Sequence, residues 1–183
     1  MKKIGVLVGS LRKESFTRKI ALELISIGLP GYEMAILEIG QLPHYNQDLD
    51  EAPPKEWVEF RQKVEECSGF VFATPEYNRS IPGVLKNALD VASRPYGKSK
   101  WAKKPAGVIS VSPGALAAFG ANHHLRQCCV FLDLYVMQQP EAYIGNVSEM
   151  LDASGKVKDS KQREFFTKYM DDLSKWIGNF EEK

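Results

Sequence analysis

The chain has 183 residues, 44% of them hydrophobic and 26% charged, and its 24 Lys and Arg against 23 Asp and Glu leave a formal net charge of +1. That is the size and composition of a single globular domain over 1–183, and it excludes both a basic nucleic-acid binder and an acidic, aromatic-poor disordered chain. No apolar run approaches the ~18 residues of a bilayer span and Met-Lys-Lys leads to no small-residue cleavage site, so a cytoplasmic location without a membrane partner is expected.

Periodicity alternates between short β-branched runs and helical stripes, the pattern of a parallel sheet wound with helices. Residues 3–9 (KIGVLVG) are nearly all apolar, as a central strand buried on both faces requires. After the turn GSLRKES, the spacing of Phe16, Ile20, Leu24 and Ile27 predicts a helix that GLPG at 28–31 ends. Residues 32–39 (YEMAILEI) read as a second strand, and the polar stretch 41–54 as a loop long enough to be functional. Trp57, Phe60, Val64 and Cys67 stripe a helix over 55–67, closed by Gly69 ahead of a third strand, GFVFAT. The loop PEYNRSIPG follows. It enters a helix at Pro82 that is striped by Val84, Leu85, Ala88, Leu89 and Ala92 and stops at Arg94-Pro95. The basic loop GKSKWAKK leads to a fourth strand, AGVISVS, which meets Pro113-Gly114. A helix with Leu125, Cys128, Cys129 and Leu132 comes next, then a short fifth strand around Tyr135 to Met137. A final helix carries Phe166, Tyr169, Met170, Leu173, Trp176, Ile177 and Phe180. The three cysteines form no Cys-x-x-Cys and are expected as reduced packing residues.

These elements predict a three-layer α/β sandwich around a five-stranded parallel sheet of order 2-1-3-4-5. Right-handed crossovers put every strand's carboxyl end on one edge, where loops 9–17, 75–83 and 112–118 converge and where open α/β sheets bind ligands. The first loop joins a buried strand to a helix, so free backbone N–H groups and the positive helix end face its turn. Ser10, Ser15 and Thr17 add hydroxyls, and Arg12 adds a charged donor suited to phosphate. The segment lacks the lysine spacing of a triphosphate loop, and its single turn glycine bars close approach of a pyrophosphate. A terminal monophosphate fits; a Ser15 N-cap beside a solvated Arg12 fits as well. In the second loop two prolines stiffen the chain, Gly83 permits close approach, and Tyr77 with Asn78 offers a flat apolar face beside an amide. That suits a planar heteroaromatic ring, or simply a rigid turn whose tyrosine packs locally.

GSLRKESFTRK together with PEYNRSIPGVLKNALDVASRP resembles the NADPH-dependent FMN reductase family, flavodoxin-like flavoproteins that include quinone, azo and chromate reductases. The resemblance runs from the first strand through SPGALAAFGANHHLRQ. It implies a flavodoxin-like domain in which Ser10, Arg12, Ser15, Phe16 and Thr17 hold the FMN phosphate. It further implies that Pro75, Glu76, Tyr77 and Asn78 lie against the isoalloxazine, with Ser112, Pro113 and Gly114 as a third contact loop. Thr17 stands where many members have Asn, Val91 where relatives often carry Trp, and Ala117-Ala118 where glycines are frequent. The implied activity is that of an FMN-dependent NAD(P)H oxidoreductase. Hydride passes from the nicotinamide of NADPH or NADH to flavin N5 and on to a quinone, flavin, azo or metal-oxyanion acceptor. The resemblance also implies a homodimer or homotetramer. The chemistry belongs to the flavin, so no catalytic side chain and no metal site are expected. A flavodoxin-type electron carrier is the alternative, and such carriers are typically strongly acidic, unlike this chain.

Other residues read as ordinary. His123 and His124 are adjacent on a helix, about 100° apart, and do not converge on one metal. His44 lies in the second long loop, and Lys98, Lys100, Lys103 and Lys104 form a basic stretch, either a solvated loop or an attractor for an NADPH phosphate.

Overall fold

The computed structural model describes residues 1–180. Strand β1 (Lys2–Val8) is buried from Ile4 onward because helices cover both faces of the sheet, which is why its sequence shows no polar alternation. It pairs in parallel with β2 (Tyr32–Ile36) on one side and β3 (Cys67–Thr74) on the other. Strand β4 (Pro105–Val111) pairs with β3 from Phe70↔Ala106 to Thr74↔Ser110. The order is therefore 2-1-3-4-5, as expected, with one addition. The fifth position is shared by β5 (Tyr135–Val136), on the first half of β4, and β6 (Ala142–Ile144), on its second half. The Met137 N–H still donates to the Ala106 carbonyl at 2.8 Å; the chain then leaves the sheet and rejoins it at Ala142, and Pro140 within that excursion has no N–H to offer a ladder.

Helices α1 (Phe16–Ile27) and α6 (Ser160–Gly178) cover one face. There Ile20, Leu24, Phe166, Tyr169 and Leu173 pack on Val6, Val71 and Ile109. Helices α2 (Lys55–Glu66), α3 (Gly83–Ala92) and α4 (Phe119–Phe131) cover the other, over a core of Trp57, Phe60, Phe70, Phe72, Trp101 and Leu125. Trp101, in the basic loop, is fully buried and its indole N–H donates to the Leu89 carbonyl at 2.9 Å. That loop is thus anchored rather than free, and Lys104 Nζ caps the end of α2 through the Val64 and Glu65 carbonyls at 2.7 and 2.8 Å.

Several boundaries differ from the sequence expectation. Strand β2 stops at Ile36, although Leu37 keeps one bond to the Val6 carbonyl, 2.9 Å, before the chain peels away. Cys67 opens β3 instead of ending α2, and Gly69 lies inside that strand. A Cβ on Gly69 would come within 2.9 Å of the Pro105 carbonyl, so this glycine serves strand packing, not helix termination. A short helix α5 (Val147–Met150) and a 3₁₀ turn at Gln47–Leu49 had no periodic signal, being too brief to show one.

Candidate functional site

The carboxyl ends of β1, β3 and β4 open into one cleft of about 170 Å³. Ser10, Arg12, Ser15, Phe16 and Thr17 line it from the first loop, Pro75, Glu76 and Tyr77 from the second, and Val111, Ser112 and Pro113 from the third. Of the residues expected at the site, only Asn78 and Gly114 stand outside the lining. Val111 was not anticipated, since nothing marks the last residue of a buried strand as a wall.

The first loop brings hydroxyl groups and the amino end of α1 to one spot of the cleft. Ser15 is the N-cap of α1, its Oγ accepting the Arg18 N–H at 3.1 Å. The Phe16 and Thr17 N–H groups then belong to the first helical turn, where no intrahelical acceptor exists. Ser10 Oγ accepts the Arg12 N–H at 3.4 Å, tightening the turn. Ser10, Ser15 and Thr17 are buried while Arg12 is exposed, so the hydroxyls form the floor and the guanidinium the rim. The N-cap reading and the phosphate reading of Ser15 are compatible, because the cap uses its oxygen as acceptor and leaves the hydroxyl proton to donate. Glu38, at the position where a dinucleotide fold holds a ribose, forms a two-pronged ion pair with Arg18, 2.6 and 3.2 Å, and is committed to it.

The second loop is a tight turn. The Tyr77 N–H donates to the Ser80 carbonyl at 2.9 Å and the Ser80 N–H returns a bond to the Tyr77 carbonyl at 3.0 Å. Asn78 and Arg79 between them take φ of 52° and 66°, the left-handed pair of a type I′ turn. This hoists Tyr77 to 49% exposure at the cleft mouth and turns Asn78 out of it. Glu76 has a role that sequence reasoning missed. Its Oε2 accepts the Ala121 N–H at 3.0 Å, and its Oε1 lies 3.5 Å from Arg79 Nη1. Helix α4 begins after Ala118, which has no capping side chain, so the Glu76 carboxylate caps that helix from the second loop. Gly120 makes room: a Cβ there would meet Glu76 Oε2 and the Arg79 carbonyl, both at 2.9 Å. A second tie joins Ser80 Oγ and His124 Nδ1 at 2.9 Å.

The third loop leaves β4 at Ser112, whose Oγ accepts the Gly114 N–H at 3.0 Å. Ala117 and Ala118 have φ of 54° and 56°. The one sequence signal for this was their place where glycines are frequent.

The residues read as ordinary stand apart from the cleft lining. His123, Phe119 and Tyr143 form one aromatic cluster with centroids 4.2 to 6.2 Å apart, and Tyr143 donates to Glu141 Oε1 at 2.7 Å. Burial, then the Glu141 bond, push the Tyr143 hydroxyl up to about 12. His44 is exposed on its loop, and Lys100 pairs with Glu65 at 2.6 Å. Among the described residues no group of His, Cys, Asp and Glu is arranged to hold a metal ion, and no helix is long and apolar enough to cross a membrane.

Comparison with known proteins agrees with this geometry. Residues 2–149 match the family model described as NADPH-dependent FMN reductase. A quinone reductase of Pseudomonas putida is 51% identical over 95% of this chain and 94% of its own. A 2-hydroxy-1,4-benzoquinone reductase of a Burkholderia species is 42% identical over 96% of each. Among solved structures, the flavoenzyme NAD(P)H:(acceptor) oxidoreductase FerB of Paracoccus denitrificans superposes with a TM-score of 0.92 at 39% identity, over 98% of this chain and 99% of that one. The chain belongs to the NADPH-dependent FMN reductase family.

Proposed function

We propose that this member of the NADPH-dependent FMN reductase family is a cytoplasmic FMN-binding oxidoreductase that carries reducing equivalents from NAD(P)H to quinones. The observation behind this reading is the convergence, in one cleft, of a single-phosphate cradle and an exposed aromatic turn.

The donor set fits FMN. Ser10, Ser15 and Thr17 with the N-terminus of α1 present hydroxyl and amide donors to one small anion, and Arg12 supplies the neutralising charge. These residues and Phe16 would hold the phosphate. Pro75, Glu76 and Tyr77, with Ser112 and Pro113, would border the ring, while Asn78 and Gly114, outside the lining, would shape the turns that carry them. FMN supplies, when bound, the redox centre between nicotinamide and acceptor. The chain's own residues orient and exclude water: Tyr77 presents an apolar plane, and the prolines at 75 and 113 stiffen the walls. No side chain in the cleft is assigned as acid or base.

The Pseudomonas and Burkholderia relatives named for quinone reduction make quinones the first acceptors to try. Flavins, azo dyes and metal oxyanions complete the panel. The protein works as a homodimer or homotetramer, consistent with exposed Phe119, Val130 and Phe131 along α4. Anaerobic addition of NADPH, then NADH, to the flavin-loaded protein tests the reading. Rapid bleaching of the flavin followed by recovery on adding a quinone is expected, whereas unchanged absorbance with both nucleotides would favour an electron carrier.

A further inference from the structure

Behind the third loop runs a chain of hydrogen bonds that lies outside the cleft itself. Ser110, near the end of β4, and Asn122, in the first turn of α4, are fully buried. The Arg126 guanidinium, fixed by Nη1 on the Met137 carbonyl at 3.0 Å, donates through Nε to Asn122 Oδ1 at 2.9 Å. Asn122 Nδ2 donates to Ser110 Oγ at 3.2 Å and reaches the Ala142 carbonyl at 3.5 Å. The Ser110 hydroxyl in turn donates to the Ala117 carbonyl at 2.8 Å. Asn122 and Ser110 each accept from behind and donate forward, so the bonds polarise one another, and the cationic head strengthens the first of them.

The chain ends on a strained segment. Ala117 and Ala118 both occupy the left-handed region, which a Cβ disfavours. The Asn122 side chain acts on Ala117 through Ser110, while the Ala118 carbonyl accepts the first backbone bond of α4, from the Asn122 N–H at 3.1 Å. Strained backbone persists only where its surroundings over-determine it, and such places cluster at functional sites. Here the segment closes the loop that carries Ser112 and Pro113 into the cleft. Resting on the FMN site proposed above, we infer that Asn122 is a positioning residue. It holds Ala117–Ala118 left-handed through Ser110 and thereby sets the third wall of the cofactor cleft. Glycine enters that region freely, so a loop with glycine at both positions would need no such hold.

The test uses the full chain as wild type, Asn122→Ala, Ser110→Ala, the pair Ala117→Gly/Ala118→Gly, and each alanine variant combined with that pair. Flavin-free protein is titrated with FMN, and amide hydrogen exchange is followed over residues 112–118 without flavin. Asn122→Ala is expected to weaken FMN binding about tenfold, one lost hydrogen bond, and to speed exchange in that loop selectively. In the glycine background the loss should shrink to about threefold or less, a coupling that a merely structural role would not show. Equal losses in both backgrounds, or a lowered melting temperature with unchanged FMN affinity and unchanged loop exchange, would overturn the assignment. Ser110→Ala carries the same comparison if Asn122→Ala does not fold. A wild-type protein that binds no FMN sinks the reading of the cleft, but exchange over 112–118 still decides whether Asn122 holds the loop.

Discussion

Among the described residues that line the cleft, Arg12 is the one cation, above a floor of neutral hydroxyls and amides. A hydrogen bond to a charged group is worth about 1.5–3 kcal/mol. Arg12→Ala is therefore expected to weaken FMN binding by about that amount while leaving the fold intact, since the side chain is exposed and caps nothing. Titration by flavin fluorescence, with a urea melt as control, checks both halves, and an unchanged affinity would remove Arg12 from the phosphate site. Tyr77 differs in kind. Its backbone closes the turn through two hydrogen bonds while its half-exposed ring packs little, so position and side chain serve separate ends.

Helix α4 shows how one element joins two loops. It starts from a left-handed residue with no cap of its own and borrows the Glu76 carboxylate. Loss of a cap costs about 0.5–2 kcal/mol, so Glu76→Ala should lower unfolding stability by that much in a urea melt and loosen the start of α4. Stability equal to wild type would mean that the carboxylate is not the cap. Further along, burial pushes the Cys129 thiol up to about 12, with the neighbouring Cys128 a smaller contribution. An unfolded cysteine ionises near pH ~8.5, so above that the unfolded chain sheds a proton the folded chain keeps. The contribution of Cys129 is complete below ~8.5 and is lost progressively as the pH climbs toward about 12. Urea melts at about pH 8 and about pH 10 should show a fall in stability that Cys129→Ala flattens, and an equal fall in both proteins would contradict it.

At the scale of the whole molecule, the layers and strand order are legible because hydrophobic period and loop length dictate them. The apolar run of β1 from Ile4 to Val8 forces helices onto both faces, and right-handed crossovers then place the three loops on one edge. The cleft lining is legible for the same reason: Ser10, Arg12, Ser15, Tyr77 and Ser112 need only be at strand ends to converge. What stays hidden depends on contacts distant in sequence. Nothing local announces that Glu76 caps a helix starting 43 residues later, that Gly69 makes room for the Pro105 carbonyl, or that Asn122 grips Ala117 through Ser110. The short fifth strand at Tyr135–Val136 falls where the sequence places it, whereas β6 was missed because three residues are too few to show a period.

The central claim is that the β1–α1 turn recognises a single phosphate and so holds the flavin by its tail. Calorimetric titration of the flavin-free protein with FMN and, separately, with riboflavin, which lacks only the phosphate, tests it most directly. FMN should bind at least about tenfold more tightly, the least that charge-assisted bonds to that group would contribute. Equal affinity for the two flavins, or none for either, would contradict it.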